Sequence, residues 1–138
     1  MSTVCQPKIT ALVPVKKRSH CKTRLAQHLQ PSARLMLVRS MLNHVVHCLR
    51  NISAIERVVV VSEERDQLAD NVELLADRGD ELKSSLDHAL QTLRAQGAEQ
   101  ILIVPADLAD VQADDIEALL AAARDADIVI APCNNREG

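Results

Sequence analysis

The sequence predicts an α/β protein of three layers, a mostly parallel sheet with helices on both faces. Three observations predict it. Short apolar runs rich in β-branched residues recur along the chain and lack the alternation of half-exposed strands, as befits strands covered on both sides. Between them lie segments whose apolar residues fall three and four positions apart, the spacing of one helix face. The connections are short, which suits strand–helix–strand units. No internal repeat and no linker breaks the alternation, so one domain is expected over residues 1–138.

After a loose start, Lys8 to Val15 predicts a buried strand that Pro14, lacking an N–H, should end. Thr23 to Leu29 predicts a short helix, broken before Pro31. Proline suits a first helical turn, so a longer helix is expected from Pro31 to about Arg50, with Asn51 as its stop. Its packing face carries Leu35, Val38, Met41, Leu42, Val45 and Leu49. Arg57 to Ser62, with Val58 to Val61 in one β-branched run, predicts the second strand. Glu63 to Asn71 suits a short helix and Val72 to Leu75 a short strand, closed by the turn-like Asp77-Arg78-Gly79-Asp80.

Leu82 to Gln96 is helical by pattern, with Leu86, Ala89, Leu90 and Leu93 on one face below Leu82 and Gly97 just past the end. Gln100 to Val104 predicts another buried strand, followed by Pro105-Ala106-Asp107-Leu108. A helix from about Ala113 to Arg124 then places Asp114 and Asp115 in its first turn, where carboxylates favour the helix dipole. Asp127 to Ala131 predicts a last strand, ended by Pro132.

Composition narrows the function. Apolar residues make up 47% of the chain and charged residues 25%, an ordinary soluble globular balance. There is no Phe, Tyr or Trp, so a single-stranded nucleic acid would find none of the aromatic platforms it stacks on. A net charge of −3 provides no domain-wide basic field for a duplex. No nucleic-acid partner is therefore expected. No signal peptide and no long apolar span are present, so neither is a membrane partner, and a cytoplasmic location is expected. The four cysteines, at 5, 21, 48 and 133, form no C-x-x-C pair and read as reduced thiols. Cys21 lies among cations, yet a catalytic thiol is the weaker reading of it. His44 and His47, three apart, read as a partly exposed helix face rather than metal ligands.

The chemistry concentrates just after the first strand. Lys16, Lys17, Arg18, Lys22 and Arg24 put five cations within nine residues, between a strand end and a helix start. In an α/β sheet that is where phosphates are bound. None of the three glycines, Gly79, Gly97 and Gly138, lies in this loop. A glycine-built phosphate cradle is thereby ruled out, and the grip must come from side chains: Lys16, Lys22 and Arg24. Two unit charges about 4 Å apart are worth roughly 4 kcal/mol at an effective dielectric near 20, so two or three such contacts could hold a triphosphate. A solvated basic loop is the bland alternative.

Asp107 follows an apolar strand and is expected on the same carboxyl-end rim of the sheet. A carboxylate there is a natural Mg²⁺ ligand, because that ion takes one or two carboxylates plus phosphate oxygens and keeps most of its waters. The alternative role, capping the next helix, can fall to Asp110.

Val13-Pro14-Val15-Lys16, then Lys22-Thr23-Arg24-Leu25, then Val104-Pro105-Ala106-Asp107-Leu108 together resemble the CofC family of guanylyltransferases, over essentially the whole chain. The resemblance implies a Rossmann-like nucleotidyltransferase fold of the GT-A type. It also implies transfer of GMP from GTP to 2-phospho-L-lactate, phosphoenolpyruvate or 3-phospho-D-glycerate in coenzyme F-420 biosynthesis. Lys16, Lys22 and Arg24 would hold the GTP phosphates and Asp107 would bind Mg²⁺, with Lys22 and Asp107 as the catalytic pair. The implied partners are these small molecules, and a homodimer is compatible with them.

Two departures from the family pattern stand out. Where members carry Gly-Leu-Asn toward the guanine, this chain has Glu81-Leu82-Lys83, which leaves Ser84, Ser85 and Asp80 to meet the base. Members also continue past the position of Gly138 into a Gly-Thr-Asn segment and more sheet. The fold is accordingly expected to be incomplete on its C-terminal side, as a fragment or a truncated product. The rival functions are a nucleotidyltransferase for a sugar phosphate or molybdopterin, an inactive nucleotide-binding remnant, and a purely structural domain.

Overall fold

The computed structural model describes residues 8–15, 30–62, 73–76, 82–106, 108 and 110–130. Among these, β1 (Ile9–Pro14), β2 (Ile55–Ser62), β3 (Glu73–Ala76) and β4 (Gln100–Ile103) form one sheet in the order β3-β2-β1-β4. All three pairings are parallel. Parallel neighbours need crossovers. The 20-residue α1 (Pro31–Arg50) lies between β1 and β2, and α2 (Leu82–Ala95) between β3 and β4. After β4 come α3 (Ala113–Ala122) and a 3-10 turn at Ala123–Asp125.

Alternation along β1 feeds two cores. Ile9, Ala11 and Val13 are buried against Leu42, Val45, Val46 and Leu49 of α1 and Ile116 of α3. Leu12 points the other way, into Val59, Val61 and the Ala89 and Leu93 side chains of α2. Helices therefore cover both faces, as the continuous apolar strands require.

The helix ends follow the local chemistry. Pro31 opens α1 in the position where its missing N–H costs nothing. Asn51 closes it, its N–H donating to the His47 carbonyl at 3.3 Å. Gly97 just beyond α2 has φ +96°, and a Cβ built there meets nothing within 4 Å. Gly97→Ala should therefore cost only the left-handed backbone penalty, about 1–2 kcal/mol, read from the shift in a denaturant midpoint.

Besides shifts of one or two residues at the ends of α2, β4 and α3, several boundaries and elements differ from the sequence expectations. β2 starts two residues earlier, at Ile55, because Ile55 pairs with Ile9 of β1. Within it, Arg57 ion-pairs with Glu73 of β3 and donates from Nη1 to the Gln96 side chain at 2.7 Å. Those side chains are about one-third to one-half exposed, so Arg57→Ala should lower stability by less than about 1 kcal/mol in thermal unfolding. β3 reaches Ala76, one residue past the expected Leu75, and Val72 lies outside the described residues. Asp110 is an exposed turn residue and does not cap α3; Gln112 is the cap, its N–H donating to the Asp115 carboxylate at 3.0 Å.

The expected last strand is absent over its described residues, 127–130, which join no ladder. Ile128 and Ile130 are each 81% exposed. β-branched residues favour a pleat, but a strand exists only with a hydrogen-bonded neighbour. The expected helices at Thr23–Leu29 and Glu63–Asn71 lie outside the described residues.

Candidate active site

The sheet order creates the site. From β1 the chain winds to β2 and β3 on one side, and then β4 is laid on the other side of β1. The winding reverses between β1 and β4, and in open parallel sheets ligands bind at the carboxyl ends of the strands at such a reversal. The cationic loop leaves β1 and the Asp107 loop leaves β4. These are the two strands that flank it.

The backbone is held firmly up to both loops. Val15 N–H donates to the Val61 carbonyl at 2.9 Å, extending the β1–β2 pairing to the residue before Lys16. Val104 N–H donates to the Leu12 carbonyl at 3.0 Å, extending the β4–β1 pairing past Ile103. Half-buried Ala106 packs against the α1-side core, directly before Asp107. Lys16, Lys22, Arg24 and Asp107 themselves lie outside the described residues.

Ser84 and Ser85 sit in the first turn of α2. Gln96, past the other end of that helix, is bonded to Arg57 in the amino-terminal half of β2. A helix of 14 residues rises roughly 20 Å, which puts its first turn toward the carboxyl edge. Ser85 is buried, Ser84 and Lys83 are exposed, and both serines already interact within the protein. Any ligand therefore meets Ser84 before Ser85. Asp80 and Glu81 lie outside the described residues.

His44 and His47 make contacts within the protein. His44 Nε2 lies 2.7 Å from the Val111 carbonyl oxygen, and His47 Nε2 lies 3.2 Å from the Asn51 side-chain amide nitrogen. Cys48 is a free, buried thiol, and Cys21 is outside the described residues. The His44 contact links positions 67 apart. No spacing rule could have found it. Among the described residues, no group of three His, Cys, Asp or Glu side chains could hold a metal ion, and no helix is long and apolar enough to cross a membrane.

This is the α/β fold of the nucleotidyltransferases. A protein from Desulfovibrio desulfuricans G20 assigned as a nucleotide-diphospho-sugar transferase superposes with a TM-score of 0.70 at 20% identity, over 86% of this chain and 55% of that one. CMP:2-keto-3-deoxy-manno-octonic acid synthetase, solved with CTP, superposes with a TM-score of 0.62 at 16% identity, over 86% and 48%. The chain belongs to the family described as guanylyl transferase CofC like, whose model matches residues 9–138. Phosphoenolpyruvate guanylyltransferase of Sanguibacter keddieii is 46% identical over 61 residues. That match covers 44% of this chain and 22% of the relative's own length.

Proposed function

We propose that the protein moves GMP from GTP to a small phosphorylated hydroxy acid in the biosynthesis of coenzyme F-420, with phosphoenolpyruvate the first acceptor to test. The observation that carries this is the adjacency of β1 and β4 at the winding reversal. Their partners lie 91 positions apart (Ile9 to Gln100), which is also the separation of Lys16 and Asp107. The name of the Sanguibacter relative favours phosphoenolpyruvate over 2-phospho-L-lactate and 3-phospho-D-glycerate.

A phosphate oxygen of the acceptor attacks the α-phosphorus of GTP in line. A new P–O bond forms, the bond to the bridging oxygen breaks, and pyrophosphate leaves with that electron pair. No protein nucleophile is required. Lys16, Lys22 and Arg24 orient the triphosphate and offset the charge gathering on its oxygens. Asp107 would hold Mg²⁺. A site with one protein carboxylate and phosphate oxygens suits that ion, which keeps several waters and does not demand a full protein cage. When bound, the metal supplies further neutralisation of the phosphates. Ser84 meets the guanine edge, with Ser85 behind it. In this reading the reaction runs in the cytoplasm, where GTP is supplied.

Incubating the complete protein with GTP, Mg²⁺ and each of the three acids, and following pyrophosphate release with mass analysis of the product, tests the proposal. The expected product is the guanylylated acid, formed fastest from phosphoenolpyruvate. A preference for another nucleoside triphosphate, with a sugar phosphate or molybdopterin as acceptor, would replace it with a different transfer. GTP binding without turnover would replace it with a binding remnant.

A further inference from the structure

We propose that His44 is a positioning residue that fixes the Asp107 loop from α1. The inference rests on the role assigned to Asp107 above.

The loop between β4 and α3 runs from Val104 to Gln112, and its backbone is tied on both sides of Asp107. Before it, Val104 N–H donates to the Leu12 carbonyl. After it, Val111 N–H donates to the Leu108 carbonyl at 3.4 Å, closing a turn. The Val111 carbonyl lies just ahead of the α3 cap, outside any helix or strand ladder, and so needs a donor from elsewhere. Two come from one face of α1, four residues apart. His44 Nε2 lies 2.7 Å from it and Cys48 Sγ donates from 3.5 Å, with sulfur and nitrogen 3.7 Å from each other. A carbonyl only accepts, so His44 Nε2 is the donor in this contact. A thiol is a weak donor. His44 therefore supplies most of this clasp.

The clasp joins the two halves of the site through one helix. The chain enters α1 at Pro31, directly after the segment that carries Lys16, Lys22 and Arg24. From its middle, α1 grips the segment that carries Asp107. Ala106 and Val111 also pack against the core cluster to which α1 contributes, so the loop is held by apolar contact as well. Apolar contact leaves a loop free to slide. One short directional bond sets its register.

The test compares His44→Ala and His44→Gln in the complete protein, the glutamine amide being able to donate to the same carbonyl. In His44→Ala, amide exchange over residues 105–112 should accelerate about tenfold, while exchange in β1 and β2 stays unchanged. Its kcat should fall about tenfold with the KM for the acceptor unchanged, and about tenfold more Mg²⁺ should be needed for half-maximal rate. His44→Gln should restore most of both. Should His44→Ala fail to fold, His44→Asn, whose amide falls short of Val111, takes its place. Unchanged exchange over 105–112 overturns the positioning role, and so does a loss of activity that follows global stability and is not restored by Gln. Unchanged transfer in Asp107→Asn, run alongside, overturns the assignment of Asp107 itself. The exchange data separate the two failures.

Discussion

In the complete protein, Lys22→Ala and Asp107→Asn should each lower GMP transfer by at least about 10²–10³-fold, the loss seen when one group stabilising a transition-state charge is removed. The chain offers no glycine-built cradle to take over: its glycines are at 79, 97 and 138, and backbone amides without glycine approach phosphate poorly. Nor do the described residues hold another cluster able to bind a metal in place of Asp107. Circular dichroism and melting temperature should stay near those of the parent, since in the sequence both positions fall between the packed elements, Lys22 between β1 and α1 and Asp107 between β4 and α3. Pyrophosphate release at saturating GTP measures the loss. Parent-like rates in both variants would remove the assignment.

The largest stability effect should come from Leu12→Ala, about 2–5 kcal/mol in urea unfolding. Leu12 is fully buried in β1, between β2 and β4, and is the β1 side chain that meets α2. Shortening it leaves a cavity bounded by Val59, Val61, Ala89 and Leu93, all themselves buried, so little can collapse into the space. Ile103→Ala is the internal control. That side chain is 42% exposed on the last strand of the sheet and should cost less than half as much. Equal costs would mean that α2 is not seated on the β1 face.

Much of this architecture is legible in the residues. The Val58–Val61 run and the apolar strands at Ile9 and Gln100 announce a sheet covered on both sides, and Pro31 and Asn51 mark α1 to the residue. The order of the strands is less direct, but alternation with short connections leaves few parallel arrangements. What periodicity cannot carry is partnership. Ile55 and Glu56 belong to β2 because Ile55 pairs with Ile9, not because their pattern says strand. Asp127 to Ile130 has the composition of a strand and no described neighbour to bond with. Gln112 outcompetes Asp110 as the α3 cap because Asp115 stands three residues on and accepts its N–H.

The candidate site divides in the same way. Cations after one strand and a carboxylate after another can be read directly from the sequence, and the strands that precede them, β1 and β4, are neighbours in the sheet, while those side chains lie outside the described residues. The contact between His44 and Val111 depends on how α1 lies against the loop after β4, and only the packed fold brings it about.

Most directly, the location of Mn²⁺ used in place of Mg²⁺, found by its anomalous scattering in crystals of the protein with GTP, tests whether the two loops grip one metal-bound triphosphate. The ion should lie beyond the carboxyl ends of β1 and β4, bound to the Asp107 carboxylate, with the GTP phosphates between it and Lys22. An ion and triphosphate bound at the amino edge, or bound without Asp107, would contradict it.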